Sequence, residues 1–154
     1  MALQIDSQRN SVLFLCTGNS CRSQMAEAIV NAEYADQWQA FSAGTLPAGY
    51  VHPNAVNVLE EIGIHHRGIS KSLSEFQNQD FDLVITVCDS AAEECPIWLR
   101  PGKQVHLPFP DPAKVKGDEE HVLSIFREVR DQIAKQIPDL LHEIYNNEKL
   151  GEGN

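Results

Sequence analysis

The chain predicts one doubly wound α/β domain, and three features predict it. Short runs of β-branched and apolar residues alternate with segments whose apolar positions recur at helical spacing. Residues of turn chemistry follow the carboxyl ends of those runs, where open α/β sheets bind their ligands. No linker, repeat or low-complexity block divides the sequence, and 154 residues is an ordinary size for one domain. The domain is expected over residues 11–147, between flexible tails at 1–10 and 148–154.

Residues 11–15 form a short apolar run that ends in Cys16-Thr17-Gly18-Asn19-Ser20, which reads as a buried strand entering a loop. Met25, Ala28, Ile29 and Ala32 then recur at helical spacing, so the loop opens directly into an amphipathic helix. A second strand fits residues 39–42. After it, Pro53 starts a helix carrying Ala55, Val58, Leu59 and Ile62, which Gly63 stops. Residues 83–87, Leu-Val-Ile-Thr-Val, have the composition of a strand covered on both faces, and they end at Cys88. A shorter strand fits residues 104–107, before the proline-rich Pro108-Phe109-Pro110-Asp111-Pro112. Asp118 can cap a last helix bearing Val122, Ile125, Phe126, Val129, Ile133 and Ile137, which Pro138 should bend or end.

Composition narrows the function. With 42% apolar and 22% charged residues the chain can bury a normal core, which excludes pervasive disorder. The first ten residues are too polar for a signal peptide, and no apolar run approaches the roughly 18 residues of a membrane span. A cytoplasmic monomer with no membrane partner is expected. A net charge of -10 without a basic cluster argues against nucleic acid. The same charge repels small anions, so an anionic substrate must be held locally, by amides and a guanidinium. Four cysteines in a reducing compartment point to catalysis or metal rather than to structural disulfides.

The local anion grip is legible at Cys16-Thr17-Gly18-Asn19-Ser20-Cys21-Arg22. A loop wrapping into a helix start can aim its amides at one point, where the helix dipole also favours negative charge. An oxyanion would sit there, touched by Cys16 as thiolate and gripped bidentately by Arg22. Gly18 permits a close approach or a positive φ, and Asn19 tolerates one. The hydroxyls of Ser20 and Ser23 can support the thiolate or the leaving group. A lone cysteine is more often a buried packing residue, but here the strand, loop and helix all agree with the motif. Asp111, before a proline in a loop near the site, is either a proton donor or a turn residue. The histidines fall at no metal spacing, His65-His66 reads as a solvated loop, and Trp38 and Trp98 read as packing residues. The gap between Cys88 and Cys95 is too long for a structural zinc pair, so no metal or other cofactor is expected.

The run from Val12 to Glu27 resembles the active-site loop of the low-molecular-weight tyrosine phosphatase superfamily, and more narrowly that of its thioredoxin-coupled arsenate reductases. The similarity extends to Ser42-Ala43-Gly44, Pro53-Asn54-Ala55-Val56, Thr86-Val87-Cys88, Cys95-Pro96 and Asp111-Pro112. The resemblance implies a four-stranded parallel sheet flanked by helices, and reduction of arsenate to arsenite, with phosphate or sulfate as analogues. The loop alone does not choose between phosphatase and reductase, because arsenate and phosphate share shape and charge. A phosphatase needs one thiolate, an acid and water, whereas Cys88 and Cys95 supply two further thiols. By the resemblance Cys16 attacks arsenic, Cys88 attacks Cys16, Cys95 attacks Cys88, and thioredoxin reduces the Cys88–Cys95 disulfide. Asp111 would protonate the departing hydroxide. The competing readings are a tyrosine phosphatase and a non-catalytic oxyanion- or redox-sensing module.

Two further expectations follow from the resemblance. If the Cys88-to-Cys95 stretch is helical when reduced, seven steps of about 1.5 Å hold the Cα atoms roughly 10 Å apart. A disulfide tolerates roughly 7 Å, so the segment must unwind on oxidation. Some relatives also hold potassium beside the loop. Asn19, Glu27 and Ser42 match that cation site here, but Lys71 stands where those relatives have aspartate, so its ammonium could take the ion's place by bonding Asn19 and Glu27.

Overall fold

A computed structural model describes residues 9–89 and 97–152, with residues 148–152 as helix backbone only. Four parallel strands form the sheet: β1 (Asn10–Cys16), β2 (Trp38–Gly44), β3 (Leu83–Thr86) and β4 (Lys103–His106), in the order β2-β1-β3-β4. The helices are α1 (Arg22–Glu33), α2 (Pro53–Glu60) and α3 (Glu119–Glu152), with short 3-10 turns at Leu73–Phe76 and Pro112–Lys114.

The central place of β1 explains its unbroken apolar run. It pairs with β2 from Asn10↔Trp38 to Cys16↔Gly44 and with β3 from Val12↔Leu83 to Leu15↔Thr86. Side chains of a strand alternate between faces, so a strand covered on both must be apolar at every position. Val12 and Phe14 join the cluster of Met25, Ile29, Leu59, Phe126 and Ile133 from the three α-helices. Leu13 and Leu15 join Ala43, Phe76, Phe81, Val84 and Trp98 on the opposite face. Burying each large side chain contributes roughly 1.5–3 kcal/mol. Trp98 stacks edge-on against Phe81 at 5.8 Å, a packing role as its sequence context suggested.

Two helices depart from expectation. The amphipathic pattern expected of α1 gives way at its start, where Arg22, Ser23 and Gln24 are as buried as Met25 and Ala26. Those polar residues face the loop described below. Pro138 does not end α3, which runs on to Glu152 and into the stretch expected as a tail. The buried stripe of Phe126, Val129, Ile133 and Ile137 continues beyond the proline as Leu141 and Ile144, so core packing outweighs the roughly 3 kcal/mol cost of proline in a helix. Asp118 caps the helix as expected, its Oδ1 accepting from the His121 amide at 2.8 Å. Arg130 ties α3 to α2, donating to the Val58 carbonyl at 2.9 Å and to Glu61 at 2.8 Å. Among the described residues no helix is long and apolar enough to cross a membrane.

Candidate active site

The carboxyl end of β1 delivers Cys16, 1% exposed, to the start of a loop that closes into α1 at Arg22. The loop's carbonyls are taken from outside. Cys16 O accepts from the Thr45 amide at 3.3 Å, Thr17 O from Leu46 at 3.0 Å, Gly18 O from Ala48 at 2.9 Å and Ser20 O from His52 at 2.9 Å. Within each planar trans peptide the C=O and N–H point in opposite directions, so outward carbonyls turn the loop's amides inward. The left-handed residue is Asn19, at φ 48°, rather than Gly18. Asn19 is fully buried, and its short amide side chain is what makes that backbone tolerable.

A cleft of about 230 Å³ lies inside the loop, lined by Cys16, Thr17, Gly18, Asn19, Ser20, Cys21, Arg22, Asp111 and Lys114. A hollow of about 300 Å³ between the α1–β2 turn and α3 is larger, but its lining, which includes Tyr34, Trp38, Leu141 and His142, holds no cysteine. Cys16 Sγ is 2.9 Å from Ser23 Oγ. Arg22 is 3% exposed and is aimed by its Nη1 bond to the Phe109 carbonyl at 3.2 Å, while its Nη2 lies 3.6 Å from Asp111 Oδ2. Asp111 uses Oδ1 to accept the Ala113 amide at 3.0 Å, so it caps the 3-10 turn and faces the cleft at once. The same turn carries Lys114 to the mouth of the cleft, a cation that sequence reasoning missed. Its signal was spacing, since residues three apart in a 3-10 turn lie on one side.

Cys88 follows β3, is completely buried, and belongs to the same cluster as Cys16 and Cys21. Cys16 and Cys21 are free thiols, whereas Cys88 is disulfide-bonded. Cys95 and the unwinding expected around it lie outside the described residues.

The four cation-site residues meet beneath the loop, with one difference from expectation. The Lys71 ammonium is 3.9 Å from Glu27 Oε1 and donates to the Ile69 carbonyl at 2.7 Å. It does not bond Asn19. The main-chain amide of Lys71 does so instead, reaching Asn19 Oδ1 at 2.8 Å. Burial pushes the Glu27 carboxyl above its ordinary pKa, opposed first by the Lys71 ammonium and then by the Ser42 hydroxyl and amide. The buried Ser42 hydroxyl lies near enough to weigh on that charge, yet forms no bond of good geometry. His66 corrects the solvated-loop expectation. Its side chain is 9% exposed and meets Gln24 Oε1 at 2.7 Å, because the chain folds back over α1 where local sequence shows only polarity. Among the described residues no group of histidine, cysteine and carboxylate side chains is placed to hold a metal.

The family model for low molecular weight phosphotyrosine protein phosphatase matches residues 11–150. A curated arsenate reductase of Halalkalibacterium halodurans is 45% identical over 130 residues, covering 82% of this chain and 91% of that protein. The crystal structure of an arsenate reductase from Archaeoglobus fulgidus is similar at a TM-score of 0.66 and 31% identity, over 82% of this chain and 98% of that one. A thioredoxin-dependent arsenate reductase of Corynebacterium glutamicum aligns at a TM-score of 0.61 and 27% identity, over 96% of this chain and 65% of that one. With the Cys16-to-Arg22 loop at the end of β1 and relatives of this kind over most of its length, the chain belongs to the low-molecular-weight phosphotyrosine protein phosphatase family, alongside its arsenate reductases.

Proposed function

We propose that the protein reduces arsenate to arsenite with electrons from its own cysteines. Arsenate enters the loop, where inward amides and Arg22 bind its oxygens. The Cys16 thiolate attacks arsenic, an As–O bond breaks, and Asp111 protonates the departing oxygen as water. The Cys88 thiolate then attacks Cys16 Sγ. The S–As bonding pair stays on arsenic, which leaves as arsenite, and a Cys16–Cys88 disulfide remains. Cys95 attacks Cys88, freeing Cys16 and moving the disulfide to Cys88–Cys95. The dithiol of thioredoxin supplies the two electrons that restore both thiols.

The observation that carries the reductase over the phosphatase is Cys88. A buried cysteine in a disulfide, in one cluster with the cleft's free nucleophile, has no part in ester hydrolysis. The close likeness to curated arsenate reductases supports the same choice. An arsenite-production assay with thioredoxin, set against glutathione plus glutaredoxin, tests the coupling: turnover is expected with thioredoxin. Cys16→Ser should abolish all chemistry, and Cys95→Ser should stop after one turnover. Sustained turnover of Cys95→Ser with thioredoxin alone would sink the relay. We also propose that the Lys71 ammonium, beside Glu27, stands in for the cation that the resemblance implies.

A further inference from the structure

Two cations line the cleft at different depths. Arg22, 3% exposed, is built into the wall, and its guanidinium is already engaged by the Phe109 carbonyl at 3.2 Å and by Asp111 Oδ2 at 3.6 Å. Lys114 stands exposed at the rim. Among the described residues its ammonium forms no ion pair, in contrast to Lys71, which faces Glu27 at 3.9 Å. An unpaired cation at the opening reverses locally the repulsion that a net charge of -10 sets against anions.

The turn that carries Lys114 is fixed from several sides. Pro112 is buried and sets its own φ, the Asp111 carbonyl accepts from the Lys114 amide at 3.3 Å, and the Pro112 carbonyl accepts from the Val115 amide at 3.3 Å. The turn rests against α3. Residues three apart in such a turn eclipse one another, so Asp111 and Lys114 lie over the same opening. Cys16 is at the other end of the cleft, 1% exposed. A nucleophile that attacks a tetrahedral oxyanion displaces the oxygen in line with it on the far side, so the oxygen that leaves faces the mouth. In a free oxyanion that oxygen is bare and shares the negative charge. In a monoester it bridges to an organic group, carries little charge, and sends its substituent out through the rim.

We propose that Lys114 makes this cleft selective for free inorganic oxyanions over phosphate monoesters: its ammonium covers the mouth and pairs with the outward oxygen, the one that an ester would block. Arg22 and the loop amides grip the inner oxygens, which the two kinds of anion have in common, and so cannot tell them apart. The ammonium is mobile and hydrated, a point charge suited to closing over a small anion after entry.

This selectivity presupposes Cys16 as the attacking thiol of the proposed reduction, and its test does not use arsenate. Cys16 alkylation by neutral iodoacetamide is followed by peptide-resolved mass spectrometry, and protection is titrated with inorganic phosphate and, separately, with phenyl phosphate. Lys114→Met keeps the side chain's length and removes its charge. It should weaken protection by inorganic phosphate about fivefold, the scale of an ion pair at an exposed position, and change protection by phenyl phosphate less than twofold. Lys114→Arg should keep the wild-type preference. Because the lysine is exposed and unpaired, the melting temperature should be the same in all three proteins. An equal loss for both anions would reduce Lys114 to general attraction and overturn the selectivity, as would no loss for either, or a wild-type Cys16 that inorganic phosphate does not protect. A wild type that phosphate protects but that makes no arsenite with thioredoxin would instead remove the reduction, so the two failures are told apart.

Discussion

Cys21 shares the anion loop with Cys16 but is a different kind of thiol. Burial pushes its pKa from 9.0 up to about 12, and the charges of Asp111 and Cys16 add to the effect, against the Ser20 hydroxyl at 3.6 Å and Arg22. It stays protonated through the working range and packs as a small apolar residue. The unfolded thiol ionises first, so between pH 9 and about 12 the folded state holds the extra proton and stability falls as pH rises. Melting temperatures across that window should therefore fall less steeply in Cys21→Ala than in the wild type, and parallel curves would refute the burial. The Lys71 ammonium beside Glu27 bears on potassium dependence. If its ammonium fills the cation's place, exchanging potassium for sodium at constant ionic strength leaves activity and melting temperature unchanged. Lys71→Asp should then create a potassium dependence, and a wild-type enzyme already stimulated by potassium would contradict the assignment.

Elements meet closely where β2 ends. The Gly44 amide donates to the Lys71 carbonyl at 2.9 Å, and a Cβ on Gly44 would overlap the carbonyl of Thr17. The obstacle is backbone, so the loop rather than a rotamer must give way. Gly44→Ala should cost about 1–3 kcal/mol, the usual range for overpacking. It should also weaken inhibition by phosphate more than it lowers stability, and equal phosphate inhibition in the variant would show that the loop does not depend on this contact. Strands were legible here because covering both faces leaves no polar position in residues 12–15 or 83–85. The course of α3 was less so. Pro138 is a local stop signal, and the stripe that overrides it is visible only once Leu141 and Ile144 are known to reach the same core.

As a whole molecule the chain is acidic, and the exposed large apolar residues among those described fall in different places: Leu46 and Tyr50 after β2, Ile62 after α2, Ile69 before Lys71, Ile97 and Leu99 before β4. Sedimentation is expected to find a single species of 17.2 kDa, and a concentration-dependent dimer would show that these residues combine into one surface. The strand–loop–helix unit, the cysteine and arginine six residues apart, and the strand that carries Cys88 were legible along the chain, because each depends on near neighbours. The remaining features depend on segments far apart in sequence. Residues 45–52 take the loop's carbonyls and turn its amides inward, Asp111 brings Lys114 to the cleft, and His66 reaches Gln24 across 42 positions. Hydrogen bonds of that kind leave no periodicity and no local propensity behind, since a histidine in a polar stretch looks the same whether it meets water or a buried amide.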